Sequence, residues 1–161
     1  MNDYFISTNK DLLDIQKIWS LLKDCFWSKD IPVEYVARFI KYSLCFGIFT
    51  QDKQQVGFGR IISDYTTYAY ICDVIVEPNH RNKGLARELI KNMLNHPELQ
   101  GLKTWSLVST KEAKKIYKEN GFLPVGNICE ALEITNLNIY AEEGFVNLHR
   151  LSSKNNNEAL Y

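Results

Sequence analysis

Val74-Ile75-Val76-Glu77-Pro78-Asn79-His80-Arg81-Asn82-Lys83-Gly84-Leu85-Ala86 is the stretch from which the fold can be read. It closes a run from Thr67 to Val76 rich in β-branched and aromatic residues, and it opens onto Leu85, Leu89/Ile90 and Met93/Leu94, which recur at helical spacing. A strand therefore passes through a basic turn into an amphipathic helix that ends before Pro97. Backbone N–H groups at such a helix start lack partners, and the helix dipole adds partial positive charge, so the turn suits a phosphate or pyrophosphate. Gly84 and Ala86 let an anion approach the backbone closely. The spacing matches neither a G-x-x-x-x-G-K-[ST] loop nor a G-x-G-x-x-G turn, which removes the commonest nucleotide sites. Taken alone, the stretch also fits a solvated basic helix start.

Upstream, Phe5-Ile6-Ser7-Thr8 reads as a short strand, and Leu12, Ile15, Ile18/Trp19 and Leu22 as an amphipathic helix. A second helix begins around Pro32, with Tyr35, Val36, Phe39 and Ile40 as its apolar face. The aromatic connection Cys25-Phe26-Trp27-Ser28 is read as a plug for the core in preference to a substrate wall. Leu44 to Phe49 and Val56 to Ile62 form a β-hairpin, followed by a turn at Ser63 to Thr66 and the long strand to Val76. Downstream, Trp105 to Val108 is a strand, Lys111 to Glu119 a helix stopped by Asn120-Gly121, and Phe122 to Val125 and Ala131 to Ile134 are candidate terminal strands. This order predicts one α+β domain whose sheet is mostly antiparallel. A right-handed crossover makes the strands at 67–76 and 103–109 parallel neighbours. From Ala141 the periodicity fades into a polar run, so residues 1–140 are read as the domain and 141–161 as a poorly ordered tail.

The composition is that of a globular protein: 161 residues, 45% hydrophobic, with 19 Lys+Arg balancing 19 Asp+Glu. A net charge near zero gives no global drive toward nucleic acid or anionic lipid. No apolar stretch approaches a membrane span, and no basic leader precedes an apolar run, so a cytoplasmic location is expected. Cys25, Cys45, Cys72 and Cys129 form no C-x-x-C pair and read as buried, reduced thiols, with no metal site expected.

Val76, Pro78, Arg81, Gly84 and Ala86 after a long strand, followed about thirty residues later by Ala113, Tyr117, Gly121 and Phe122 in the pattern A-x-x-x-Y-x-x-x-G-F, resemble the GNAT superfamily of N-acetyltransferases. Either motif alone is unspecific; the two in this order are specific. The resemblance runs roughly from Tyr4 to Tyr140. It extends to a small bacterial subgroup through Ile6-Ser7-Thr8, Ser43 to Gly47, Val56-Gly57-Phe58 with Arg60, and His96 to Leu102. It implies a GNAT fold, in which two central parallel strands splay apart, usually at a β-bulge, and flanking helices cover the sheet. Acetyl-CoA, the implied cosubstrate, would lie in that gap.

The resemblance places the pyrophosphate on the amides of Asn82, Lys83, Gly84, Leu85, Ala86 and Arg87, with Arg81 and Lys83 as cationic support. It pairs the pantetheine arm with the backbone of Val74, Ile75 and Val76, where an amide could also stabilise the oxyanion. Tyr117 matches the tyrosine that protonates the departing thiolate; without the motif it would read as a packing residue. Some relatives carry a glutamate at the position of Cys72. Asp73 is then the nearest carboxylate, able to accept a proton through water, to bind a cationic amine, or merely to brace a turn. His80 reads as solvated, and His96 as a cation favoured by a helix C-terminus. Arg60 faces either the acceptor cleft or solvent, because Gly57 and Gly59 invite a bulge that breaks the alternation.

The implied function is acetyl transfer from acetyl-CoA to a primary amine, a small molecule, by direct attack in a ternary complex. Two other readings stay open: a CoA-binding protein without strong catalysis, and transfer of a longer acyl group or to a protein N-terminus. Phe26, Trp27, Tyr65, Tyr68 and Tyr70 suggest a narrow acceptor groove. The expected chain is a monomer or homodimer.

Overall fold

The computed structural model describes residues 3–125 together with Glu133, Thr135 and Tyr140. Among the described residues, one sheet holds five strands in chain order: β1 (Tyr4–Ser7), β2 (Leu44–Thr50), β3 (Gln55–Ser63), β4 (Tyr68–Val76) and β5 (Thr104–Leu107). The first four run antiparallel to their neighbours, and β5 runs parallel to β4. A parallel pair needs a long crossover, which here carries α3 (Leu85–Leu94). α1 (Ile15–Leu22) and α2 (Val33–Tyr42) lie between β1 and β2 in the chain, and α4 (Lys114–Lys118) follows β5. Among the described residues no helix is long and apolar enough to cross a membrane.

Both sheet faces are covered, and the alternation of the strands decides which residue goes where. Phe46, Ile48, Ile61 and Ile71 pack with Leu89 and Met93 of α3. Cys45, Phe58 and Ile75 turn the other way, onto Ile18 and Leu22 of α1 and Val36 and Ile40 of α2. Burial of each such aliphatic or aromatic side chain is worth roughly 1.5–3 kcal/mol, so the two layers fasten the helices on either side of β4.

The structure corrects several sequence expectations. The first helix starts at Ile15, not Leu12: Lys10–Leu12 is a 3-10 turn, and Asp14 then caps α1 by accepting from the Lys17 amide at 3.0 Å. Phe26 and Trp27 do not plug the core; they pack edge to face on each other and are 76% and 45% exposed. The last helix is short because residues 111–113 form turns before α4 begins at Lys114. Phe122 to Val125 joins no strand; Leu123 and Val125 are exposed, and Pro124 has no N–H to offer a ladder. The candidate strand at Ala131 to Ile134 and the tail from Ala141 lie outside the described residues, save Glu133. Cys45 is buried as expected, but Cys25 and Cys72 are only half-buried.

Candidate active site

The site begins where β4 and β5 part. Their pairing runs from Tyr68 opposite Thr104 to Ile71 opposite Leu107 and stops there. From Cys72 to Val76, β4 is held by β3 alone among the described strands, so one edge of its backbone is open. The parting coincides with a β-bulge. Phe58 faces Ile75 and Arg60 faces Cys72, so three steps along β4 match two along β3 and the extra residue lies on β4. Asp73 takes up the irregularity with a left-handed φ of 55°. The sequence pointed to the β3 glycines for a bulge, and the register against β2 does shift beside Gly57, but at the parting of β4 the extra residue is on β4 and uses an aspartate, which tolerates this conformation better than most.

At the end of β4 a 3-10 turn, Pro78–His80, leads through Asn82 (φ 61°) to Gly84 (φ 77°), the N-cap of α3. No side chain caps α3, which leaves its first amides available. Gly84 is required for its φ and not for lack of room, since a Cβ there would meet nothing within 4 Å. A hollow of about 310 Å³ is bounded by Val76, Arg81, Asn82, Gly84, Ala86 and Arg87, with Leu85 also in its wall.

Of the expected binding residues, the turn brings these together, but Lys83 is not among the walls of the hollow. Its Nζ donates to the Tyr4 hydroxyl at 2.9 Å, and His80 Nδ1 meets the same oxygen at 2.9 Å. His80 is therefore bonded into the β1 end of the sheet instead of being merely solvated. Arg81 Nε donates to the Val76 carbonyl at 2.9 Å, stitching the turn to its strand, and Arg87 pairs with Glu119 at 2.7 Å. Val74 and Ile75 send their side chains to opposite cores, leaving their backbone on the open edge.

On the β5 side, Tyr117 is 8% exposed and meets Phe122 edge to face at 6.0 Å. Gly121, with φ 89°, ends α4, and the Phe122 amide donates back to the Tyr117 carbonyl at 3.1 Å. The glycine therefore turns Phe122 onto the tyrosine it follows by five residues. Burial pushes the Tyr117 phenol up to about 12, reinforced by Cys72 and Tyr70. Burial also pushes Cys72 up to about 12 and Cys45 up to about 11. Both thiols stay protonated at neutral pH, so iodoacetamide at pH 8 followed by peptide mass mapping is expected to leave Cys45 and Cys72 unlabelled in the folded protein. Rapid labelling of either would show that its strand opens.

On the helical side of the bulge, Arg60 Nε donates to Asp73 Oδ2 at 2.5 Å and Arg60 Nη1 to Ser43 Oγ at 3.2 Å. The guanidinium also lies 4.3 Å from the centre of the Phe39 ring. With side chains 17% and 10% exposed, Arg60 and Asp73 form a nearly buried ion pair. Period-two alternation left the direction of Arg60 open; the structure turns it into a hollow of about 470 Å³ between the sheet and α2. Tyr35, Arg38, Phe39 and Tyr42 of α2 line that hollow, with Trp27. Tyr65 and Tyr68, expected to narrow the groove, are instead exposed elsewhere, and Tyr68 bonds to Ser106. The α2 aromatics were legible only as core residues, although the i, i+3, i+4, i+7 spacing of Tyr35, Arg38, Phe39 and Tyr42 marks a second stripe.

Solved structures share this architecture. A GNAT-family protein of Xanthomonas campestris pv. campestris is 42% identical, with a TM-score of 0.79 over 86% of this chain and 96% of that one. A Clostridium acetobutylicum protein solved with acetyl-CoA is 19% identical, with a TM-score of 0.59 over 81% and 95% of the two chains, and so shares the fold. A Gibberella zeae protein, "Putative acetyltransferase FG08082", is 29% identical over 118 residues. That match covers 62% of this chain and 66% of the relative, just under two thirds of its length. The model of the acetyltransferase (GNAT) domain matches residues 13–139, from α1 to beyond α4. A match over most of the chain, with the parted strands and the glycine turn inside it, means that this protein belongs to the GNAT acetyltransferase family.

Proposed function

We propose that the protein transfers the acetyl group of acetyl-CoA to a primary amine by direct attack within a ternary complex. The observation that carries the reading is the open edge of β4 from Cys72 to Val76, which runs from the Arg60–Asp73 pair toward the uncapped start of α3. An open edge offers unpaired N–H and C=O groups to an extended, amide-containing arm. The residues fit such a ligand. Val74, Ile75 and Val76 would meet the pantetheine amides, and the amides of Asn82 to Arg87 the pyrophosphate, with Gly84 leaving open space at its Cα.

When bound, acetyl-CoA would supply a thioester carbonyl reactive toward a neutral amine. Tyr117 holds a proton for the sulfur that departs. Asp73 Oδ2 is occupied by Arg60, so Oδ1 is the oxygen left to orient the amine or to accept its proton through water. An amide on the open edge donates toward the carbonyl oxygen as charge develops there. The protonated thiols of Cys45 and Cys72 take no covalent part.

Thiol release from acetyl-CoA in the presence of primary amines tests the reading; cofactor binding without release for any amine would reduce the chain to a CoA-binding protein. The cofactor assignment has its own test. Gly84→Val places a β-branched residue in the left-handed region, at roughly 1–2 kcal/mol, and covers the first amides of α3. It is expected to weaken acetyl-CoA binding at least about tenfold and to remove most of the thermal shift. Gly84→Asn, which tolerates that φ, separates fold strain from blockage. Unchanged affinity in Gly84→Val would remove the turn from the cofactor site.

A further inference from the structure

We propose that the acceptor is an amine carrying a carboxylate on an apolar, aromatic body, and that Arg38 selects the carboxylate. The inference rests on the acetyltransferase reading above and adds to it the class of acceptor. Its first support is the second face of α2. Val36 and Ile40 lie within the core, Tyr35 and Phe39 pack against it and border the 470 Å³ hollow, and Arg38 and Tyr42 extend that border outward. Tyr42 is 69% exposed, so its ring is not needed for packing and is available to cover a flat apolar ligand, beside Phe39, which also packs on the core.

The second support is charge. Among the described residues, Arg38, Arg60 and Asp73 are the acidic and basic side chains lining the hollow. Arg60 and Asp73 neutralise each other, whereas Arg38 is exposed and has no hydrogen-bond or ion-pair partner among the described residues. One positive charge is left over, on a planar fork whose geometry matches a carboxylate. The third support is polarity along the hollow. Asp73 stands at the bulge where β4 leaves β5, so the amine belongs at that end and the carboxylate at Arg38 on the helix.

Matched amines test this: 4-(aminomethyl)benzoate against benzylamine, and phenylalanine against phenethylamine. With the wild-type protein, the carboxylate-bearing member of at least one pair is expected to give kcat/KM about ten- to hundredfold higher, the range of a charge-assisted hydrogen bond. Arg38→Ala should bring that ratio to about one, mainly through KM, and Arg38→Glu should invert it. Acetylation of the neutral amines as fast as the acidic ones would keep the acetyltransferase reading and overturn this inference, as would a ratio that survives Arg38→Ala. If no amine releases thiol, the same ratio is read as Kd by calorimetry in the presence of coenzyme A. Equal Kd values within both pairs, or no binding of either carboxylate, would overturn the inference independently of the transfer reaction.

Discussion

Arg60→Met is expected to destabilise the protein by about 3 kcal/mol, because it leaves the Asp73 carboxylate in a nearly buried position without its counter-charge. For a domain of this length that corresponds to a drop in Tm of roughly 6–12 °C. Asp73→Asn should cost less, about 1–2 kcal/mol: the amide oxygen can still accept from Arg60, and asparagine tolerates the left-handed φ of 55°. The double variant removes both charges and is expected to be more stable than Arg60→Met alone by about 1–2 kcal/mol in urea unfolding. Asp73→Asn should also raise the acceptor KM while acetyl-CoA affinity stays close to wild type, since the proposed cofactor contacts lie on the strand backbone beyond it. An Arg60→Met variant within 0.5 kcal/mol of wild type would mean that the pair is solvated and holds nothing in place. Equal acceptor kinetics in Asp73→Asn would return Asp73 to bracing the bulge.

The importance of that pair was hidden in the sequence for a definable reason. Strand β4, the glycine turn and α3 were readable because each obeys a local rule: β-branched residues, a turn that needs φ 77° at Gly84, and a helical apolar stripe. The parallel partnership of β4 and β5 followed from crossover handedness. The bulge obeys no such rule, since Cys72-Asp73-Val74 contains neither glycine nor proline, and the extra residue appears only in the register against β3. Without it, alternation could not place Arg60, and Asp73 stood alone as a carboxylate in search of a role. The border of the hollow on α2 was only partly legible for a related reason. Tyr35, Val36, Phe39 and Ile40 form one broad apolar stripe on α2, and helical periodicity does not say which half touches the core. Val36 and Ile40 are buried in it, while Tyr35 and Phe39 pack against it and also border the hollow. Trp27 was assigned to the core as part of an aromatic connection, yet it borders the same hollow beside Ser28, whose hydroxyl is tied to the Leu22 carbonyl at 2.7 Å.

Tyr117→Phe is expected to lower kcat by about a hundredfold while Tm at neutral pH and acetyl-CoA affinity stay near wild type. The ring that meets Phe122 is retained, and only the donor is lost. Removal of a general acid spans about one hundred to ten thousand fold, and the surroundings of Tyr117 select the lower end. Its phenol is pushed up to about 12, above an ordinary thiol near 8.5, so the proton is better shared with the departing sulfur than surrendered to it. A hydrogen bond to a charged group is worth about 1.5–3 kcal/mol, or roughly ten- to a hundred-and-fifty-fold. The same shift fixes the pH dependence. An exposed phenol would lose its proton near pH 10, whereas Tyr117 keeps it toward 12, so the ratio of wild-type to Phe rates should stay constant from about pH 7 to 10. Stability supplies a second reading. The folded state holds this proton more tightly than the unfolded one, so its contribution is full below about pH 10 and is lost as pH rises toward 12, by about 2–3 kcal/mol. That loss should be present in the wild type and absent in Tyr117→Phe, which isolates it from the cysteines and other tyrosines that titrate alongside. A wild-type rate in the Phe variant, measured with chemistry rate-limiting, would leave protonation of the sulfur to water and make Tyr117 a packing residue.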